Sequence, residues 1–309
     1  MTVIDDRDRS ELDALDARIR TLLPEAYRDS YETIQPTPMG SAALKYDADG
    51  QVAWDQIWGS FCDLAMAGGP PHKGRLLEPG TEEAINARFD RYDEVAEEIC
   101  RGIMMVTGLR AYVSPTPGWV SMTCQGDTMA GWLLRAIVME NVAVRRRGAI
   151  LELPAAPHFT LEKEIKNVVT VVAKTCHYWM GHIPHEQQLA IGGLFTAMAS
   201  TLPLIEPGVS SAEATDVDRG LAATIAALIH RQSGLRPSEQ RYAGWVGVEC
   251  PSVGVAVWMM RALVASNVLS RREGTVLLVP VNAMTDPHGT IVAAAVGRVH
   301  RYASVRLQT

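Results

Sequence analysis

The residues of this chain best suited to chemistry lie in one stretch, HFTLEKEIKNVVTVVAKTCHYWMGHIPHEQQ, from His158 to Gln188. Ile165, Val169, Val172, Cys176 and Trp179 recur at helical spacing and form an apolar face. Lys163, Asn167, Thr170, Lys174 and His177 run as a polar stripe on the opposite side. A lysine one turn before a histidine is a combination that enzymes use. Burial and like charge lower both pKa values, which makes either group a base near neutral pH. The spacing therefore nominates His177 as a proton-transfer group and Lys174 as its partner or as an anion-binding cation. Asn167 and Thr170 are further ligand-binding candidates on the same stripe. Thr160 is placed to cap this helix, and Glu162 and Glu164 suit its first turn.

His177, His182 and His185 form an alternative constellation, a metal site. Five residues on an ideal α-helix span about 140° of rotation, so His177 and His182 should diverge. The H-E-x-x-H zinc pattern is absent. A second anion-binding candidate is the loop AGGPPHKG, residues 67–74, where glycine amides could cradle an anion with Lys73 adding charge and His72 adding a titratable group. It is neither a Walker A loop nor a dinucleotide turn. Tyr46-Asp47-Ala48-Asp49-Gly50 reads as a turn rather than a calcium loop.

These residues must be positioned by a duplicated framework. Residues 92–154 and 218–280 align without a gap, 126 positions apart, and about one position in three is identical. The first copy contains GWVSMTCQGDTMAGWLLRAIVMENVAVRRRG and the second GWVGVECPSVGVAVWMMRALVASNVLSRREG. Each copy reads as helix, strand, helix, strand. The first helix ends at Gly108 or Gly234. The strand is Trp119–Cys124 or Trp245–Cys250. A long, broadly apolar helix then runs to Gly148 or Gly274, with arginines in its last turn opposing the helix dipole. A helix between two strands favours a parallel or mixed sheet. The expected fold is α/β (or α+β), with two α-β-α-β units about a pseudo-twofold axis.

The corresponding domain organisation is an N-terminal helical segment over 1–91, repeats over 92–154 and 218–280, a helical spacer over 155–217 and a tail over 281–309. Leu12, Leu15, Ile19, Leu22 and Leu23 mark a first helix, and Trp54, Ile57, Trp58, Phe61, Leu64 and Ala65 form the apolar stripe of another over 52–67. Within the apolar helices both copies keep Arg135/Arg261, Asn141/Asn267 and Arg145/Arg271. Arginine forks suit carboxylates and phosphates, so Arg135, Arg261, Asn141 and Asn267 join the ligand-binding candidates, in a cleft between the repeats.

Composition narrows the function classes. The net charge is −6, so the basic footprint of a nucleic-acid binder is missing. No uninterrupted apolar stretch suggests a membrane span, and the acidic start resembles no secretory signal. Cys62, Cys100, Cys124, Cys176 and Cys250 are scattered and odd in number, which favours reduced thiols in the cytoplasm. Apolar helix is abundant enough to favour a homodimer. The residues together suggest an enzyme acting on a small anionic metabolite by acid–base chemistry, with no particular cofactor indicated. The alternatives are a non-catalytic carrier for a cofactor or metal, or a structural subunit of a complex.

Overall fold

A computed structural model describes residues 6–28, 43–57, 75–208 and 215–306. The chain divides into two compact units, Ile34–Pro184 and a second unit made of Met1–Thr33 with His185–Thr309. Each unit contains one four-stranded antiparallel sheet with helices packed on it.

In the unit Ile34–Pro184, α3 (Glu82–Ala87) leads into α4 (Phe89–Thr107). Thr81 caps α3 by accepting a hydrogen bond from the Ala84 amide. Tyr92, Val95, Ala96, Ile99 and Ile103 give α4 its buried stripe, and Gly108 ends it in the left-handed conformation. The chain then forms β1 (Ala111–Val113) and β2 (Trp119–Thr123), helix α5 (Asp127–Met139), and the hairpin β3 (Arg145–Arg147) and β4 (Ile150–Pro154). The strand order is β1-β2-β4-β3. A π-helical turn (Leu161–Ile165) opens α6 (Lys166–His177), and a second π-helical turn (Tyr178–His182) closes it.

The other unit repeats this plan. Helix α1 (Asp6–Leu22), the short α2 (Glu25–Arg28) and α7 (His185–Thr201) precede α8 (Asp216–Ser233). Then come β5 (Arg236–Tyr242), β6 (Trp245–Glu249), α9 (Val253–Val264), β7 (Arg271–Glu273), β8 (Val276–Pro280) and α10 (Thr290–Arg306), with strand order β5-β6-β8-β7. Thr215 and Asp218 form a capping box on α8, and Gly234 ends it as Gly108 ends α4. Helix α1 is anchored by Tyr302, which donates to Glu11, and by Gln187, which donates to the carbonyls of Thr21 and Leu23.

The helix–strand–helix–strand order of the two copies is present, with one further short strand ahead of each expected one. That extra strand overturns the parallel sheet. β3 takes the sheet edge and turns back through Gly148 (φ 60°), so β4 runs antiparallel to β2; Gly274 (φ 59°) does the same between β7 and β8. The long helix to Gly148 is corrected as well. Asn141 and Asn267 take left-handed φ angles of 61° and 60° and stop α5 and α9 well before the arginines. The arginines therefore lie in strands rather than in a last helical turn.

The repeat also extends beyond 92–154 and 218–280. Leu76-Leu77-Glu78-Pro79-Gly80 recurs as Leu204-Ile205-Glu206-Pro207-Gly208. Leu77 bridges Val142 as Ile205 bridges Val268, and the Gly80 and Gly208 amides donate to the carbonyls of Ala155 and Val281. Downstream, the turns at Pro157-His158 and Pro287-His288 each lead into a final helix, α6 or α10. The segment read as a spacer, 155–217, divides at Pro184: its first part completes one unit and its remainder belongs to the other. Of the helix expected over 52–67, residues 54–57 are helical, residues 52 and 53 precede it, and residues 58–67 lie outside the described residues.

Candidate functional site

His72, Lys73 and the AGGPPHKG loop lie outside the described residues. Lys174, His177, Asn167, Thr170, Arg135 and Asn141 belong to the unit Ile34–Pro184, whereas Arg261, Asn267 and His185 belong to the other.

Lys174 is buried, and its ammonium donates to Oε1 of Glu140 at 2.7 Å. Glu140 caps the carboxyl end of α5, so the pair ties α6 to α5. The stripe that carries Lys174 is thus largely internal. Thr170 is buried and its hydroxyl donates back to the Lys166 carbonyl, Asn167 is half-buried, and only Lys163 is exposed. Thr160 stands at the start of this segment without capping it. Its hydroxyl and its amide both donate to the Glu164 carboxylate.

Arg135 is buried and donates to the Gly131 carbonyl at 2.8 Å, while Arg261 is half-buried. The shared asparagines have a conformational reason to be shared. Each sits just past a helix end at positive φ, where asparagine is among the few residues that fit at small cost. Asn267 also donates its side-chain amide to the Leu202 carbonyl.

The arginines of the hairpins form a cluster in each unit. Arg145 stacks on the Trp119 ring with its guanidinium carbon 4.0 Å from the centroid. Directly opposite it in the sheet is Glu152, whose carboxylate lies 3.1 Å from Arg145 and 3.5 Å from Arg147 and accepts a hydrogen bond from Ser114. Arg271, the counterpart of Arg145, lies over Tyr242 and Trp245 and pairs with Glu273 at 2.6 Å. Opposite Arg271 stands Leu278. The carboxylate has therefore moved from the facing strand to the second residue along the same strand, replacing the position of Arg147. Arg145, half-buried, and Arg271, buried, each keep an acidic partner, by different routes. Tyr242 donates to Glu273, and burial together with that carboxylate pushes its hydroxyl up to about 12.

This exchange leaves the two strands electrostatically unlike. β7 carries two arginines and a glutamate, all buried. β3 carries three arginines with the single facing carboxylate of Glu152. Arg146 and Arg147 are exposed, the Arg147 side chain by 66%. Sequence reading listed Arg145 and Arg271 among shared residues and assigned the surplus charge of Arg146 and Arg147 to a helix end. The signal that was available is the mismatch RRRG against RREG.

The π-helical turn after α6 changes the relation of two histidines. A π-helix bonds residue i to i+5, so residues five apart stack rather than diverge. The Nε2 atoms of His177 and His182 lie 2.9 Å apart, with ring centroids at 4.7 Å. The expected divergence of this pair is corrected. Burial first, and then the charge of His182, lowers the His177 pKa. His185 is exposed at the start of α7.

Cys100, Cys124, Cys176 and Cys250 are buried, and burial raises the pKa of every one, to about 12 for Cys100, Cys124 and Cys250. They are packed thiols rather than nucleophiles. Cys62 lies outside the described residues. Among the described residues no helix is long and apolar enough to cross a membrane. Comparison with known protein families, with curated proteins and with solved structures finds no match.

Proposed function

We propose that this is a non-catalytic binding protein. It is built from two copies of one α-β-β-α-β-β-α unit and takes an anionic, carboxylate- or phosphate-bearing partner at strand β3. The observation that carries this reading is the contrast between β3 and β7. The same strand is buried and carries its own carboxylate in one unit, whereas in the other it is largely exposed, with Arg145 and Arg147 sharing the facing carboxylate of Glu152 and Arg146 donating to the Asp127 carbonyl. Arg145 and Arg147, two apart on the strand and so on one face of the sheet, present guanidinium forks that suit a partner offering several oxygens. Arg147 meets Glu152 only at 3.5 Å, which leaves it the better placed of the two to take a partner's oxygen.

The acid–base enzyme suggested by the sequence has weaker support. Its chosen lysine is occupied by Glu140, and His177 faces another imidazole rather than Lys174's ammonium. Asn141 and Asn267, shared by both copies, have a backbone reason to be shared, since each takes a left-handed φ just past a helix end.

Native mass spectrometry of protein purified at low salt tests the proposal. The wild type is expected to carry an anionic ligand that the R146E/R147E variant does not. A wild type without any anionic ligand, or equal occupancy in the two proteins, overturns it.

A further inference from the structure

We propose that His177 and His182 form a two-imidazole site for a divalent transition ion of the zinc or copper class. The site is separate from β3 and does not depend on the binding function assigned to that strand.

The pairing is a product of backbone geometry. An ordinary α-helical continuation of α6 would turn His182 about 140° away from His177. The π-helical turn Tyr178–His182 instead places both rings on one side, with their Nε2 atoms 2.9 Å apart. At that separation the two nitrogens cannot both carry hydrogen, so at least one lone pair is directed at the other ring. Zinc binds imidazole nitrogen at about 2.0–2.1 Å in tetrahedral geometry, which calls for nitrogens roughly 3.3 Å apart. The observed spacing falls short by only a few tenths of an ångström, within reach of small rotations about the histidine side-chain bonds.

Both histidines are half-buried, so an ion can reach them, and Gly181 between them is exposed. An added Cβ on Gly181 would lie 3.8 Å from the His177 ring, an ordinary van der Waals separation. The Tyr178 ring, 5.8 Å from that of His182, flanks the second imidazole. No group of three or more His, Cys, Asp or Glu side chains able to hold a metal occurs among the described residues. Water therefore completes the coordination, as in open rather than structural sites. Imidazole suits zinc, copper and nickel, whereas magnesium and calcium prefer oxygen ligands.

The test is calorimetric titration of zinc chloride into the full chain, compared with H177Q, H182Q and the control H158Q. The wild type should bind zinc at one saturable site. Either site variant should weaken binding by about tenfold or more, the scale on which outer-shell partners alone affect metal affinity, and H158Q should leave it unchanged. Circular dichroism checks that the variants are folded. Electron paramagnetic resonance of the wild type loaded with one equivalent of copper(II) gives a second readout that needs no variant. Couplings from two imidazoles are expected. No saturable zinc binding by the wild type, unchanged affinity in both site variants, or copper held by other than two imidazoles would overturn the proposal.

Discussion

Removing one member of the Lys174–Glu140 pair should destabilise the protein far more than removing a surface ion pair. The nitrogen and oxygen are 2.7 Å apart, and the two side chains are only 5% and 6% exposed. Burying two charges is costly, and each offsets part of that cost for the other. Lys174→Met leaves Glu140 charged and buried, so about 3–5 kcal/mol should be lost, against roughly 0–1 kcal/mol for an exposed pair. With a urea slope of about 2 kcal/mol per molar, that moves the unfolding midpoint down by about 2 M. The double variant Lys174→Met with Glu140→Leu should recover most of this, because replacing both charges by apolar groups of similar size is often neutral or better. The second copy shows the alternative: the position of Glu140 holds Ser266, whose hydroxyl donates to the Ala262 carbonyl. Urea unfolding followed by far-ultraviolet circular dichroism of the two single variants and the double variant measures the coupling. A single variant that loses less than about 1 kcal/mol, or a double variant as unstable as the sum of the singles, would refute the argument that burial sets the size of this effect.

Three further outcomes are expected. Asn141→Val should cost about 1–2 kcal/mol more than Asn141→Gly, because a branched side chain resists the left-handed conformation that glycine adopts freely; denaturant midpoints check this. Cys100, Cys124, Cys176 and Cys250 should resist thiol reagents at pH 8 in the native protein and react on unfolding, since burial keeps them protonated; time-resolved titration with a chromogenic disulfide reads it. Burial lowers the His300 pKa below 6.5, so the unfolded chain takes up this proton first as pH falls. Its contribution to stability is thus complete above about pH 6.5 and declines below it until the folded histidine is also protonated. Thermal melts of His300→Gln should therefore be less acid-sensitive than those of the wild type.

Much of the framework was legible because it is written in local signals. Leucines and an isoleucine at helical spacing marked α1, the glycines at 108 and 234 marked helix ends, and Trp119 and Trp245 marked matching strands. The duplication was visible where no residue is inserted. It faded at Glu78-Pro79-Gly80 and Glu206-Pro207-Gly208, because the offset there shifts by two positions. What sequence reading got wrong depended on single backbone angles. Val142 to Arg145 continue a plausible helical pattern, and only the positive φ of Asn141 converts the arginines into a strand. His177 and His182 diverge on paper because helical wheels assume an α-helix, whereas the chain closes α6 with a π-helical turn. Lys174 looked available because its partner Glu140 is distant in sequence and sits at the end of another helix. Partnerships of that kind come from packing, and no spacing rule reports them.

The central claim is that the arginine strand of one unit engages an anionic partner. It is tested most directly by fluorescence anisotropy of a labelled oligoglutamate peptide, with inorganic tripolyphosphate as competitor, across a salt series. The wild type should bind the peptide and release it to the competitor, with affinity falling as salt rises. R146E/R147E should bind at least about tenfold more weakly, a difference of about 1.4 kcal/mol. R231E, which reverses an exposed charge on α8 of the other unit, should bind as the wild type does. Absence of binding by the wild type, or equal affinity for R146E/R147E, would contradict the account.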